Sequence, residues 1–178
     1  NMGTIDLSAI SYNLGPVGFW NSITAIRDLL SYSPGILFLQ DLRIPIHSSD
    51  KVKSWLSILF PQYFNVLSVH TERLRKPDGR KARYHYGFCT MLHRHWYTDL
   101  TAVNLARQKA DVSTVQGHVL KITTRCKLTS ELVSIYNIYQ HTLSFSKRQE
   151  RLWEILSDDI QTVSSNSKPW LAGGDFNA

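Results

Sequence analysis

No apolar run in this chain approaches the ~18–20 residues that a membrane-spanning helix requires, so the sequence offers no candidate span. Cysteine is almost missing: Cys89 and Cys126 are the only two among 178 residues. Two cysteines make no disulfide framework, and each is expected to serve as a small core residue in a reducing, intracellular setting. No Cys/His cluster with metal-ligand spacing occurs either, which argues against zinc. A basic segment followed by an apolar one is absent at the N-terminus, so no signal peptide is visible. Internal repeats, low-complexity segments and dividing linkers are also lacking. Residues 1–178 are therefore expected to form a single domain.

What is present suits a globular fold: 43% of residues are hydrophobic and 11% aromatic. The net charge is +6 with a pI near 9.4, and it is unevenly spread. Arg73, Arg75, Lys76, Arg80, Lys81 and Arg83 fall close together, opposed only by Glu72 and Asp78. Pro77-Asp78-Gly79 is a turn signal, which predicts a basic loop between two strands. Such a loop, with Tyr84, Tyr86 and Trp96 nearby, suits a polyanion whose phosphates meet cations and whose bases meet rings. A plain solvated loop on a basic protein accounts for the same residues equally well.

Strands and helices alternate along the chain. Strands are expected at Thr4–Tyr12, Ile36–Gln40, Tyr63–Val69, Tyr86–His93, Val115–Thr123 and Leu132–Tyr139. Asn21 is the expected cap of a helix bearing Ile23, Ile26, Leu29 and Leu30. Ser49 or Asp50 opens a second, with Val52, Trp55, Leu56, Leu59 and Phe60 on one face. Ser146 and Gln149 have capping-box spacing before a third, which buries Leu152, Trp153, Leu156, Ile160 and Val163. A buried strand from Trp170 closes the order. Helices at both ends and strands between them predict an α+β fold. A four-layer α/β/β/α sandwich buries both sets of apolar faces most simply.

Polar residues stand at the strand ends. Gly173-Gly174-Asp175-Phe176-Asn177 places a carboxylate and an amide two residues apart, hence on one side of an extended segment. The glycines permit a bend or a close backbone approach. This pair can bind a hard cation or orient a phosphate, and it can equally be an Asx turn. Asn13 follows the first strand, Asp41 follows Gln40 at the second, and Tyr139 closes a later one. Singly, these read as a turn residue, a solvated strand end and a core edge.

As an ordered set, Asn13, Gln40-Asp41, Asn137-Ile138-Tyr139 and Gly173-Gly174-Asp175-Phe176-Asn177 resemble the endonuclease/exonuclease/phosphatase superfamily, most of all the endonuclease domains of LINE-type (non-LTR) retrotransposons. The resemblance runs over the whole chain and implies a DNase I-like sandwich. It also implies a metal-dependent endonuclease that nicks DNA, with RNA as the alternative substrate, using Mg²⁺ or Mn²⁺. In that family's pattern Asp41 is a metal ligand and Asn13 supports the metal site. Tyr139 contacts the scissile phosphate, Asp175 polarises the attacking water and Asn177 hydrogen-bonds the phosphate. A cation held by carboxylates supplies the Lewis acid, and neutral donors add directed hydrogen bonds where charge develops.

This sequence departs from the pattern in three places. Asp41 stands where the family usually has Glu, so its carboxylate is retracted by about one C–C bond, ~1.5 Å. Gln140-His141-Thr142 follows Tyr139, where the family usually has Pro. The family's later Asp and its closing Ser-Asp-His motif have no counterpart in the 178 residues and are expected beyond Ala178. The fold is thus expected to be incomplete at the C-terminus and this chain alone to have little or no nuclease activity. The alternatives are a degenerate, non-catalytic nucleic-acid-binding remnant, or a phosphatase of the same superfamily. No membrane or protein partner is implied, and a nuclear location follows if the substrate is DNA.

Overall fold

The computed structural model describes residues 8–75, 78, 80–105, 117–140 and 146–175; for 70–75, 81–86, 117, 140 and 146–149 it describes the backbone alone. The chain divides into two compact units, Asn1–His95 and Trp96–Ala178.

The first unit is built on strands β1 (Ala9–Asn13), β2 (Ile36–Gln40), β3 (Tyr63–Arg75) and β4 (Lys81–His93), in the sheet order β1-β2-β4-β3. β1 and β2 run parallel and are joined through helix α1 (Ile23–Leu30), while β2/β4 and β3/β4 are antiparallel. All five residues of β2 are buried, which is why that strand reads as an unbroken apolar run rather than an alternation. α1 buries Ile26 and Leu30, two of the four positions its spacing predicts. Asn21 does not cap it: the N-cap is Ser22, whose hydroxyl donates to the Gly18 carbonyl at 2.6 Å, and Asn21 Nδ2 donates to the Val17 carbonyl. Helix α2 (Ser49–Leu59) buries Val52 and Leu56, whereas Trp55 is exposed and meets Trp20 edge-on. Tyr63 closes the far end, donating its hydroxyl to the Pro34 carbonyl at 2.7 Å, and burial pushes its phenol up to about 12.

The second unit also carries one parallel strand at the edge of an antiparallel run, here the last strand rather than the first. Strands β5 (Tyr97–Asn104), β6 (Gly117–Cys126), β7 (Leu132–Gln140) and β8 (Trp170–Asp175) form a sheet in that sequence. β5/β6 and β6/β7 are antiparallel, and β7/β8 are parallel, joined through helix α3 (Ser146–Ser165). α3 packs on this sheet: Leu152, Ile155 and Leu156 form one cluster with Leu105, Val119, Tyr136 and Ile138. Trp153, an expected core residue, is exposed, and Ile155 takes its place. Asp159 is buried on the same helix, accepting from the Tyr136 hydroxyl at 2.7 Å and pairing with Lys121 Nζ at 2.7 Å. Burial, reinforced by that carboxylate, raises the Tyr136 phenol far above its ordinary value. Trp170 and Leu171 are exposed where a buried strand was expected, and among the described residues β8 pairs with β7 alone.

Two further expectations change. Tyr97–Asn104 is a strand that the sequence did not disclose. The basic segment is largely strand: β3 and β4 extend through it with Arg73 opposite His85 and Arg75 opposite Lys81. Arg73-Leu74-Arg75 and Lys81-Ala82-Arg83-Tyr84 alternate with a period of two, a strand signal hidden by their charge. Both cysteines are free and buried, as their core reading implies, and burial pushes the Cys89 thiol up to about 12. Among the described residues no helix is long and apolar enough to cross a membrane.

Candidate functional site

Each sheet carries one parallel strand pair, and parallel strands bring their carboxyl ends side by side. Polar residues at those ends are then neighbours, as at the ligand crevices of open α/β sheets. In the first unit Asn13 stands opposite Gln40 in the β1/β2 register, one residue before Asp41. In the second, Tyr139 stands opposite Asp175 in the β7/β8 register. The folding thus pairs the expected residues two by two, within each unit. Asn177 lies outside the described residues.

In the first unit Asn13 Oδ1 accepts from the Gly15 amide at 2.7 Å, an Asx-type turn that Gly15 enables with φ +60°. Gln40 is buried and its Nε2 donates to Ser11 Oγ at 3.2 Å. Asp41 is buried too, and both its carboxylate oxygens are engaged. Arg43 Nε donates to Oδ1 at 3.1 Å and Arg43 Nη2 to Oδ2 at 2.9 Å, a bidentate fork. The backbone is bent to allow this: Asp41 has φ 55° and Arg43 φ 52°. Each left-handed conformation costs a non-glycine residue about 1–2 kcal/mol. Leu42, wholly buried between them, anchors the bend by donating to the Gly87 carbonyl at 3.0 Å and accepting from the Phe19 amide at 2.9 Å. Arg43 also lines a cavity of about 210 Å³ with Pro16, Gly18, Trp20 and Asn21.

This arrangement does not fit a divalent cation at Asp41. A hard cation binds through carboxylate lone pairs, and here the Arg43 guanidinium already takes up both oxygens through charge-assisted hydrogen bonds. Among the described residues no group of three or more His, Cys, Asp or Glu could hold a metal ion. Arg43 was not among the residues that the sequence singled out. Its signal was its place two residues after Asp41, a spacing that allows a side-chain pair.

In the second unit Tyr139 is buried and Asp175 half-buried. Asp175 is brought there by Gly174, whose φ of +148° and contact with β7 admit no side chain. A Cβ would overlap the Ile138 carbonyl oxygen and lie 2.7 Å from its carbonyl carbon. The close backbone approach read from the glycine pair is therefore made at Gly174. His118, another residue the sequence reading passed over, lies opposite Tyr139 in the β6/β7 register, its ring parallel to the phenol at 6.4 Å between centroids. It is fully buried, and a histidine in an apolar strand gives little sign of such a neighbour.

Of the basic residues, Arg80 is exposed and pairs with Asp78 at 2.6 Å, and that hydrogen bond lowers the Asp78 carboxyl. Such an exposed pair adds little stability. The backbones of Arg73, Arg75, Lys81 and Arg83 lie in β3 and β4, while Lys76 is outside the described residues.

No protein-family model and no curated protein matches this chain. Solved structures do. A mannosyl-6-phosphatase from Bacteroides thetaiotaomicron VPI-5482 matches with a TM-score of 0.65 at 16% identity, covering 97% of this chain and 66% of that one. An endonuclease/exonuclease/phosphatase family protein from the same species matches with a TM-score of 0.64 at 15% identity, covering 95% and 62%. This chain has the DNase I-like fold. D. rerio TDP2, complexed with a single strand DNA product, shares it with a TM-score of 0.57 at 13% identity, covering 95% and 60%. The chain spans less than two thirds of the length of each of the three. Identities this low bear on the DNase I-like fold and leave substrate to the site.

Proposed function

We propose that this chain is part of a phosphoester hydrolase that acts on DNA, of the LINE-type retrotransposon endonuclease kind. The carrying observation is the coincidence of two things. The fold is DNase I-like, and each of its parallel strand pairs ends in the polar residues that the resemblance assigns to phosphoester chemistry: Asn13 and Asp41 in one, Tyr139 and Asp175 in the other. Tyr139 and Asp175 are suited to their roles by chemistry: a phenol donates to a phosphoryl oxygen, and a carboxylate accepts a proton from water. Asn177 would add a second neutral donor. Mg²⁺ or Mn²⁺, the cation that the resemblance implies, would supply a Lewis acid. At Asp41, however, the Arg43 guanidinium already takes up both oxygens.

DNA is preferred over a small phosphate ester because of the charge. The chain is at +6, and Arg73, Arg75, Lys76, Arg80, Lys81 and Arg83 fall within eleven consecutive residues, with Arg73, Arg75, Lys81 and Arg83 on the paired strands β3 and β4. Phosphate contacts by such a stripe release counterions, so binding should weaken steeply with salt. TDP2 with its single strand DNA product lends the same reading support from a neighbour of like fold. The mannosyl-6-phosphatase neighbour favours a phosphatase instead. Action on DNA implies a nuclear location.

A plasmid assay tests this. Supercoiled DNA should be retarded by the chain, with an affinity that falls as salt rises, and neutralising the six basic residues should flatten that salt slope. Nicking by these 178 residues in Mg²⁺ should be slight, because they contain no Ser-Asp-His triplet. Salt-independent binding, or displacement of DNA by mannose 6-phosphate, would overturn the DNA reading. Robust nicking abolished by Asp175→Ala would show that these residues suffice without that triplet.

A further inference from the structure

The resemblance and the geometry disagree at one residue. A carboxylate expected to bind a cation is already bound to one, and the cation is part of the chain. The Asp41–Arg43 pair is bidentate, at 3.1 and 2.9 Å, with the carboxylate side chain only 7% exposed and the guanidinium 34%. Two left-handed residues flank a buried leucine that is fixed by backbone bonds to Phe19 and Gly87. The fork is therefore set by the backbone, not by a chance meeting of surface side chains. A shorter carboxylate than glutamate also keeps the charge close to the strand end, within reach of a residue two positions on.

We propose that Arg43 is the resident cation at the end of β2: its guanidinium occupies Asp41 and excludes a divalent ion from it. A dication reaching Asp41 would have to displace two charge-assisted hydrogen bonds and then sit beside a positive side chain that a short bend holds nearby. Arg43 thus determines which cation this carboxylate takes. The guanidinium is planar and permanently charged, so the exclusion holds across the physiological pH range. Arg43 is a positioning residue here, acting through Asp41.

The inference rests on Asp41 being the cation-facing carboxylate of the proposed hydrolase. Its test reads cation occupancy, not hydrolysis, so a chain that cleaves nothing would leave it standing. Mn²⁺ binding is followed by the loss of the free-ion electron paramagnetic resonance signal. The wild-type chain should bind Mn²⁺ weakly, Arg43→Gln should bind it roughly tenfold more tightly or better, and Arg43→Lys should recover part of the exclusion. Adding Asp41→Asn to Arg43→Gln should remove the gain. Equal affinities in wild type and Arg43→Gln, or a gain that survives Asp41→Asn, would overturn the proposal. Should Arg43→Gln fail to fold, the Arg43 Nε–H resonance of the wild-type chain decides. It should keep its carboxylate-bonded shift through a millimolar Mg²⁺ titration, and its loss on adding Mg²⁺ would refute the exclusion.

Discussion

His93 ends β4 with its Nδ1 accepting from the His95 amide at 3.1 Å and its ring edge-on to Tyr63 at 4.7 Å. An acceptor nitrogen must be unprotonated, and burial, followed by the neighbouring His95, lowers the His93 imidazole below its ordinary value. With the folded pKa depressed, the unfolded chain takes up the proton first on acidification. His93 therefore contributes stability above about pH 6.5 that is lost as pH falls below it. An NMR titration should place His93 below about 6.5; a value at or above that would contradict the burial argument. Single residues were legible in the sequence to differing degrees. Asp41 and Asp175 showed as acids closing apolar runs, and they do stand at strand ends. The partner of Asp41 was not legible, because a cation two residues on meets a carboxylate only if the backbone bends, and φ 55° at an aspartate is not written in its neighbours.

The β7/β8 pair shows how an element positions chemistry. Gly174 lets β8 run against Ile138, which sets the register that places Asp175 opposite Tyr139. Gly174→Ala would force a methyl group into the β7 backbone and should cost about 3 kcal/mol or more. Urea unfolding measures the loss, and hydrogen exchange should show β8 amides losing protection first. An alanine variant within about 0.5 kcal/mol of wild type would refute the close approach. Helices α1, α2 and α3 were legible because their apolar residues recur with helical spacing. Their details were not: Ser22 replaced Asn21 as the cap, and Ile155 replaced Trp153 in the core. The strand β5 was hidden because Thr98, Asp99 and Thr101 break its alternation, and the pairing is itself irregular there. β3 and β4 were read short because charge masked a period of two.

The whole molecule uses one device twice. Each sheet has three antiparallel neighbours in a row and a single parallel strand added at one edge through a helix, β1 through α1 and β8 through α3. Each addition sets a carboxyl-end pair of polar residues side by side, so the order Asn13, Asp41, Tyr139, Asp175 along the sequence follows the topology. That order made the DNase I-like fold legible before any coordinates. Under the function proposed above, the net charge of +6 favours a polyanion among phosphate esters. The most direct test is a ¹H–¹⁵N NMR titration of the labelled chain with a short DNA oligonucleotide. Saturable shifts are expected at the Tyr139 and Asp175 amides, at Asp41, and along the β3/β4 strands, with mannose 6-phosphate producing none at equal concentration. Shifts confined to the β3/β4 strands, with Tyr139 and Asp175 unmoved, would contradict it.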